Sequence, residues 1–371
     1  MTLQLLEGER DWLVAVVRDL PNDAPRLAYA NWLESRAPDR ARFLREFVRA
    51  SASMEPDDFP RADGLPEEWL ELVGFRLLER LSDSNVPDLK DSVLRLARPA
   101  LRMKLGDAAG ARTAEEAERR AEVGGTGIIS RLLRLVRPAP EVVETTGGVP
   151  AAIPVGASRI GGHPDLPPNY PWPRGRDCSG MDAEETAGYD ALAGFLAQVN
   201  LAEIAHTQAA RDLPSAGVLS FFAFQDDDEN NPDTVGAKVV YFPDPAVLVP
   251  TEPPEELAAT NGFIPPQRLT FEETLDLPEY RSGPWSGEIT PDPKVRYDAL
   301  EYFNELNFEN MLGYGRATSG DDPTPSKESR HLILLRTVYG VALHIQIDRD
   351  ALAARRFDRF TLAWVDVDPG W

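Results

Sequence analysis

Arg159, His163 and Asp165 bring a cation, a titratable imidazole and a carboxylate into one short loop that also carries Tyr170 and Trp172. Gly161-Gly162 admits backbone conformations closed to other residues, and Pro164, Pro167, Pro168, Pro171 and Pro173 stiffen the chain around them. Side chains in such a loop could be held still as a binding rim. The competing reading is structural, a wrap in which Leu166 and Trp172 plug the edge of a sheet. As a wrap, Trp172 is the costly residue to truncate, at about 3–5 kcal/mol. Arg159 and Asp165 then cost much less unless they form a buried pair.

Other constellations each lack a partner. Asp226 to Asn231 resembles the start of a calcium loop, but Asn231 stands where the sharp-turn Gly belongs and Ala237 where the bidentate Glu belongs. A solvated hairpin loop fits better. His331 and His344 lie on neighbouring strand candidates with no third zinc ligand at suggestive spacing, which reads as edge-facing sheet histidines. Cys178 sits in a Cys-Ser-Gly loop without a helix N-terminus or basic neighbour to lower its pKa. No Ser has the Gly-x-Ser-x-Gly surround of a nucleophile elbow, and Gly124 to Gly127 is followed by no Lys-Ser/Thr. No metal and no cofactor is expected, no catalytic residue is identified, and a non-enzymatic role is the expectation.

Composition narrows the partners. Among 371 residues, 61 are acidic and 39 basic, for a net charge of −22. That surface repels phosphate backbones and anionic membrane faces; the acidity serves solubility or, alternatively, attracts a basic protein partner, and a protein partner is expected. With a single Cys, no intrachain disulfide can form. Glu7, Glu9, Arg10 and Asp11 interrupt any signal-peptide core, and no run of about 18 apolar residues is present. The expectation is a cytoplasmic protein whose oligomeric state stays open.

The elements fall into two kinds. Trp12, Leu13, Val16, Val17 and Leu20 recur at helical spacing, and Pro21-Asn22-Asp23 ends that helix. Asp23 fits the N-cap of a second helix bearing Tyr29, Trp32 and Leu33; a third follows Pro38 with Phe43, Leu44, Phe47 and Val48 on one stripe. The pattern stays helical from Leu65 to Leu105, and Pro138 to Pro150 reads as a linker. After it come short strand candidates over 218–224, 238–242, 247–249, 331–338, 341–347 and 360–367, with helices over 296–312 and 350–357. The expected class is α+β: an all-α N-terminal region, then a sheet-rich, mainly antiparallel domain without βαβ alternation. The expected division is residues 1–55, a small helical module, 56–137, a further helical region, 138–150, the linker, and 151–371, the α+β domain.

Two resemblances sharpen this. Ala24-Pro25-Arg26-Leu27, Tyr29-Ala30 and Trp32-Leu33-Glu34 resemble, over about residues 8–50, the repeat-companion module of planctomycete and myxobacterial proteins, with Asn31 in place of its usual Asp. The resemblance implies a helical fold and no reaction, and Tyr29 with Trp32 would be either a peptide-binding face or bundle core. Ser158-Arg-Ile-Gly-Gly-His-Pro-Asp-Leu-Pro168, Trp172-Pro173, Leu192 to Leu201, Gly217 to Phe222, Val240 to Phe242, Leu312-Gly-Tyr314 and Asp350 to Phe357 are similar in order to the YwqG-like family of uncharacterised bacterial proteins. That resemblance implies a mixed, sheet-rich fold of unknown function. Glu309-Asn310 replaces a common His before Leu-Gly-Tyr, and Tyr339-Gly340 is all that stands for an acidic-glycine run. Together these point to a macromolecule-binding protein, immunity-like or a regulatory adaptor. The alternative is an enzyme, such as a hydrolase with a bound ion, sited around Arg159, His163 and Asp165.

Overall fold

The computed structural model describes residues 5–83, 90–108, 153–179, 190–225, 235–259, 266–278, 310–314, 329–336 and 341–366. The linker at 138–150, the acidic run at 226–231, the glycines at 124–127 and most of the helix expected over 296–312 lie outside them. Two compact units form: Met1–Arg102 with Glu272–Ala317, and Met103–Phe271 with Thr318–Trp371. The helices first met are α1 (Glu9–Arg18), α2 (Asp23–Leu33), α3 (Pro38–Ser53), α4 (Glu67–Leu72), α5 (Phe75–Asp83) and α6 (Lys90–Leu96). The strands are β1 (Arg98–Ala108), β2 (Arg159–Ile160), β3 (Asp165–Leu166), β4 (Gly194–Asn200), β5 (Val218–Gln225) and β6 (Val235–Phe242). They continue with β7 (Val249–Pro250), β8 (Gln267–Asp276), β9 (Asn310–Met311), β10 (Arg330–Arg336), β11 (Val341–Ile347) and β12 (Thr361–Asp366). The class is α+β, N-terminal helices followed by antiparallel sheet, as the sequence predicts.

In the first unit, one apolar stripe per helix closes a shared core. Leu13, Tyr29, Leu44 and Phe47 of α1–α3 meet Trp69, Phe75 and Leu78 of α4 and α5. Two buried charged groups inside this core have several partners each. Glu9 is fully buried and accepts hydrogen bonds from the Leu6 N–H at 2.7 Å, from Arg40 Nη1 at 2.6 Å and from the Tyr29 hydroxyl, which itself accepts from Trp69 Nε1 at 2.9 Å. Burial beside the Glu9 carboxylate pushes the Tyr29 phenol far above its ordinary pKa. Arg26 is buried as well, donating through Nε to the Val73 carbonyl and through Nη1 to the Leu20 carbonyl, each at 2.8 Å. It thus ties off carbonyls at the ends of α1 and α4, where helices leave such groups unpaired. Trp32 is half-buried, 6.2 Å from Trp12 between ring centres, with the Arg36 guanidinium 4.6 Å over its face.

Local readings shift in three places. The cap of α2 is Asn22, whose Oδ1 accepts the Ala24 N–H at 3.0 Å, while Asp23 pairs with Arg26. The helical pattern expected to Leu105 stops at Leu96, and β1 follows. Leu-Arg-Met-Lys over 101–104 contains good helix formers, but Leu101 and Met103 are buried while Lys104 is exposed, a period of two that pairing rewards. The C-terminal end of the expected 296–312 helix is β9, paired antiparallel with β1 through Leu101↔Met311 and Arg102↔Asn310.

In the second unit, β2, β4, β5 and β6 lie side by side in that order, Gln267 and Arg268 of β8 pair with the other side of β2, and β10, β11 and β12 form consecutive antiparallel pairs. The register Phe195↔Phe222 and Phe222↔Lys238 sets Phe195 and Phe222 on one face with Phe224, Phe242 and Leu166 in a second apolar cluster. Gly217, at φ 104°, leads into β5 where a Cβ would stand 2.5 Å from the Tyr241 ring, so only glycine fits.

Candidate functional site

The wrap from Gly156 to Trp172 is built on β2 and β3. β2 pairs with β4 through Arg159↔Gln198 and Ile160↔Ala197, and with β8 through Arg159↔Arg268. β3 pairs with β7 through Asp165↔Pro250 and Leu166↔Val249. Between them Gly161 and Gly162 turn the chain at positive φ, and a Cβ on Gly162 would stand 2.7 Å from the Pro266 ring. That turn swings Asp165 back over Arg159.

The two charges then meet. Arg159 Nη2 lies 2.8 Å from Asp165 Oδ1, with their side chains 7% and 0% exposed, and the same guanidinium donates to the His163 carbonyl. Asp165 Oδ2 accepts from the Gly156 N–H at 2.6 Å and from Gln198 Nε2 at 2.7 Å. Gln198 Oε1 in turn accepts the Asp165 N–H at 3.0 Å, and its Nε2 also reaches the Ala157 carbonyl at 2.9 Å. Two residues on, the Asn200 N–H donates to Ser158 Oγ and its Nδ2 to the Gly156 carbonyl, both at 2.8 Å. Asn200 Oδ1 meanwhile caps the short helix Leu201–Ile204. The sequence segments 158–168 and 192–201 are therefore two halves of one lock. The role of Gln198 and Asn200 is not visible in the local pattern, although an amide inside the apolar run Phe-Leu-Ala-Gln-Val-Asn-Leu is the signal that a partner must await it.

The remaining rim residues lie outside the lock. His163 is partly exposed, as are Tyr170 and Trp172. The Tyr170 ring meets Phe242 edge-on at 5.2 Å, and its partial burial raises the phenol pKa. Trp172 stands edge-on to Phe222 at 5.8 Å and donates from Nε1 to the Ala193 carbonyl at 2.8 Å. Each ring thus has one side on the apolar cluster and one toward solvent, an amphipathic placement suited to a contact surface.

Other candidates resolve differently. His331 and His344 are buried, not at an exposed edge; β11, which carries His344, lies between β10, which carries His331, and β12. Their rings share a 3.0 Å contact between Nε2 and Nδ1. Among the described residues no group of three or more His, Cys, Asp or Glu is placed to hold a metal ion. Cys178 is buried, with its thiol on the Arg174 carbonyl, and burial pushes its pKa up to about 12. Leu312-Gly-Tyr314 is a turn on a buried carboxylate: the Tyr314 N–H donates to Asp276 Oδ2 at 2.8 Å, and a Gly313 Cβ would stand 2.5 Å from that oxygen.

Fold and site together define an antiparallel α+β domain whose sequence motifs interlock through buried polar groups. Residues 158–365 match the family model described as Domain of unknown function (DUF1963), and the chain belongs to that family. No curated protein matches it. Among the described residues no helix is long and apolar enough to cross a membrane.

Proposed function

We propose that this chain is a cytoplasmic macromolecule-binding protein, an immunity-like or regulatory adaptor, whose YwqG-like domain recognises a basic protein partner. In the same reading, residues 8–50 form a repeat-companion module that accompanies it. The observation that carries the proposal is the lock itself. Arg159 and Asp165 spend their charges on each other and on backbone groups, which fixes the wrap and leaves His163, Tyr170 and Trp172 along its outer side. A rigid rim with amphipathic rings loses little side-chain entropy on binding, and the net charge of −22 favours a cationic partner. Arg159 and Asp165 are shielded and engaged with each other, so neither meets a ligand at this loop directly.

The test is a pull-down from native lysate with the full chain and with the variant His163→Ala/Tyr170→Ala. Wild type should capture a basic protein, less of it in high salt, and the variant should lose that capture while melting within a few degrees of wild type. Equal capture by the variant, or capture indifferent to salt, would overturn the proposal.

A further inference from the structure

Beside the wrap, three large apolar side chains face water: Val155 is 51% exposed, Val247 48% and Val249 43%. Their segments are held together. The Gly156 N–H is bound to Asp165, Asp165 pairs with Pro250, and a Cβ on Gly156 would stand 3.7 Å from the Pro245 ring. Between Val247 and Val249, Leu248 is extended (φ −80°, ψ 142°) and buried, so its two neighbours project to the opposite, outer side. Among the described residues β7 has β3 as its single strand neighbour. The chain from Pro243 to Leu257 carries no Lys or Arg but four carboxylates, Asp244, Glu252, Glu255 and Glu256, all exposed.

Resting on the binding-module reading above, we infer that this face is where the partner docks, and that the docked element is an extended segment with apolar residues between Lys or Arg. The valines supply an apolar centre and the carboxylates a polar rim of one sign, the arrangement of a protein interface rather than of a random surface. An acidic or purely polar segment would leave the valines wet or set like charges against each other.

A peptide of alternating Lys and Val serves as probe, with the Glu–Val counterpart as control, and valine methyl NMR of the full-length protein as readout. The cationic peptide should shift the Val155, Val247 and Val249 methyls saturably, and the anionic one should not. Val247→Ser/Val249→Ser, which removes the apolar centre without adding charge, should weaken binding at least about tenfold, equal to 1.4 kcal/mol, without moving the melting temperature, because both residues are exposed. Shifts confined to other methyls, equal shifts from both peptides, or undiminished binding by the double variant would overturn the inference. The same double variant in the lysate pull-down separates the two claims. If it keeps the partner that His163→Ala/Tyr170→Ala loses, the docking face is wrong and the binding module stands; if wild type captures no partner at all, the module reading itself falls.

Discussion

Asp165→Ala should be among the most damaging single changes in the second unit. The side chain is fully buried and has three partners: Arg159 at 2.8 Å, the Gly156 N–H at 2.6 Å and Gln198 Nε2 at 2.7 Å. Truncation leaves a guanidinium that is 7% exposed without its counter-charge, and breaking a buried pair from one side costs about 3–5 kcal/mol. The orphaned Gly156 N–H would cost about 1–3 kcal/mol alone, and Gln198 would lose one of its hydrogen bonds while keeping that to the Ala157 carbonyl, but the groups share one site and do not add. We therefore expect about 3–5 kcal/mol in all. Trp172→Ala, at a partly buried position, should cost about 2 kcal/mol from partial loss of apolar burial and one hydrogen bond. Urea unfolding at neutral pH, followed by tryptophan fluorescence and circular dichroism, measures both. Arg159→Ala and Arg159→Ala/Asp165→Ala close the cycle, and the double change should cost less than the sum of the two single ones by about 0.5–3 kcal/mol. An Asp165→Ala protein within about 1 kcal/mol of wild type, or a double variant equal to the sum, would refute the buried lock.

Three further outcomes follow from particular contacts. Burial lifts the Cys178 pKa from 9.0 to about 12, so alkylation at mildly basic pH should run about a thousandfold slower in the folded chain than in urea; rapid native labelling would contradict the packing. Burial also raises the Glu71 pKa, against the pull of Arg80 and Arg102. A carboxyl raised in the folded state contributes stability below its unfolded pKa and loses it as pH climbs through the folded value. Glu71→Gln should therefore gain on wild type in urea midpoint as pH rises above the ordinary glutamate value of about 4.3, and a flat or falling difference would reverse the assignment. Gly217→Ala, at φ 104° against the Tyr241 ring, should cost at least about 1–3 kcal/mol from backbone strain, and a thermal melt unchanged from wild type would show that the turn relaxes.

The sequence by itself determined the class and most elements, because hydrophobic period and turn residues are local signals. Val341–Ile347 alternates apolar and polar residues and is β11; Trp12, Leu13, Val16 and Val17 mark α1. It also placed Arg159 and Asp165 in one short Gly-Pro-rich loop, since both residues, Gly-Gly and a run of prolines are written there. Only the tertiary structure decided what those residues do. Ion pairing depends on which side of a turn each charge emerges from and on what covers it, and Gln198, which orients Asp165, is 33 residues away in sequence. The same holds for Arg26, whose partner Val73 is 47 residues on, and for Tyr29, whose partner Trp69 is 40 residues on. Helix formers in Leu101–Lys104 became strand because β9 offered hydrogen bonds that no local window contains. Burial is a property of the assembled layers: the pattern marks Val247, Leu248 and Val249 alike as apolar, and packing alone puts the middle one inside and its neighbours in water.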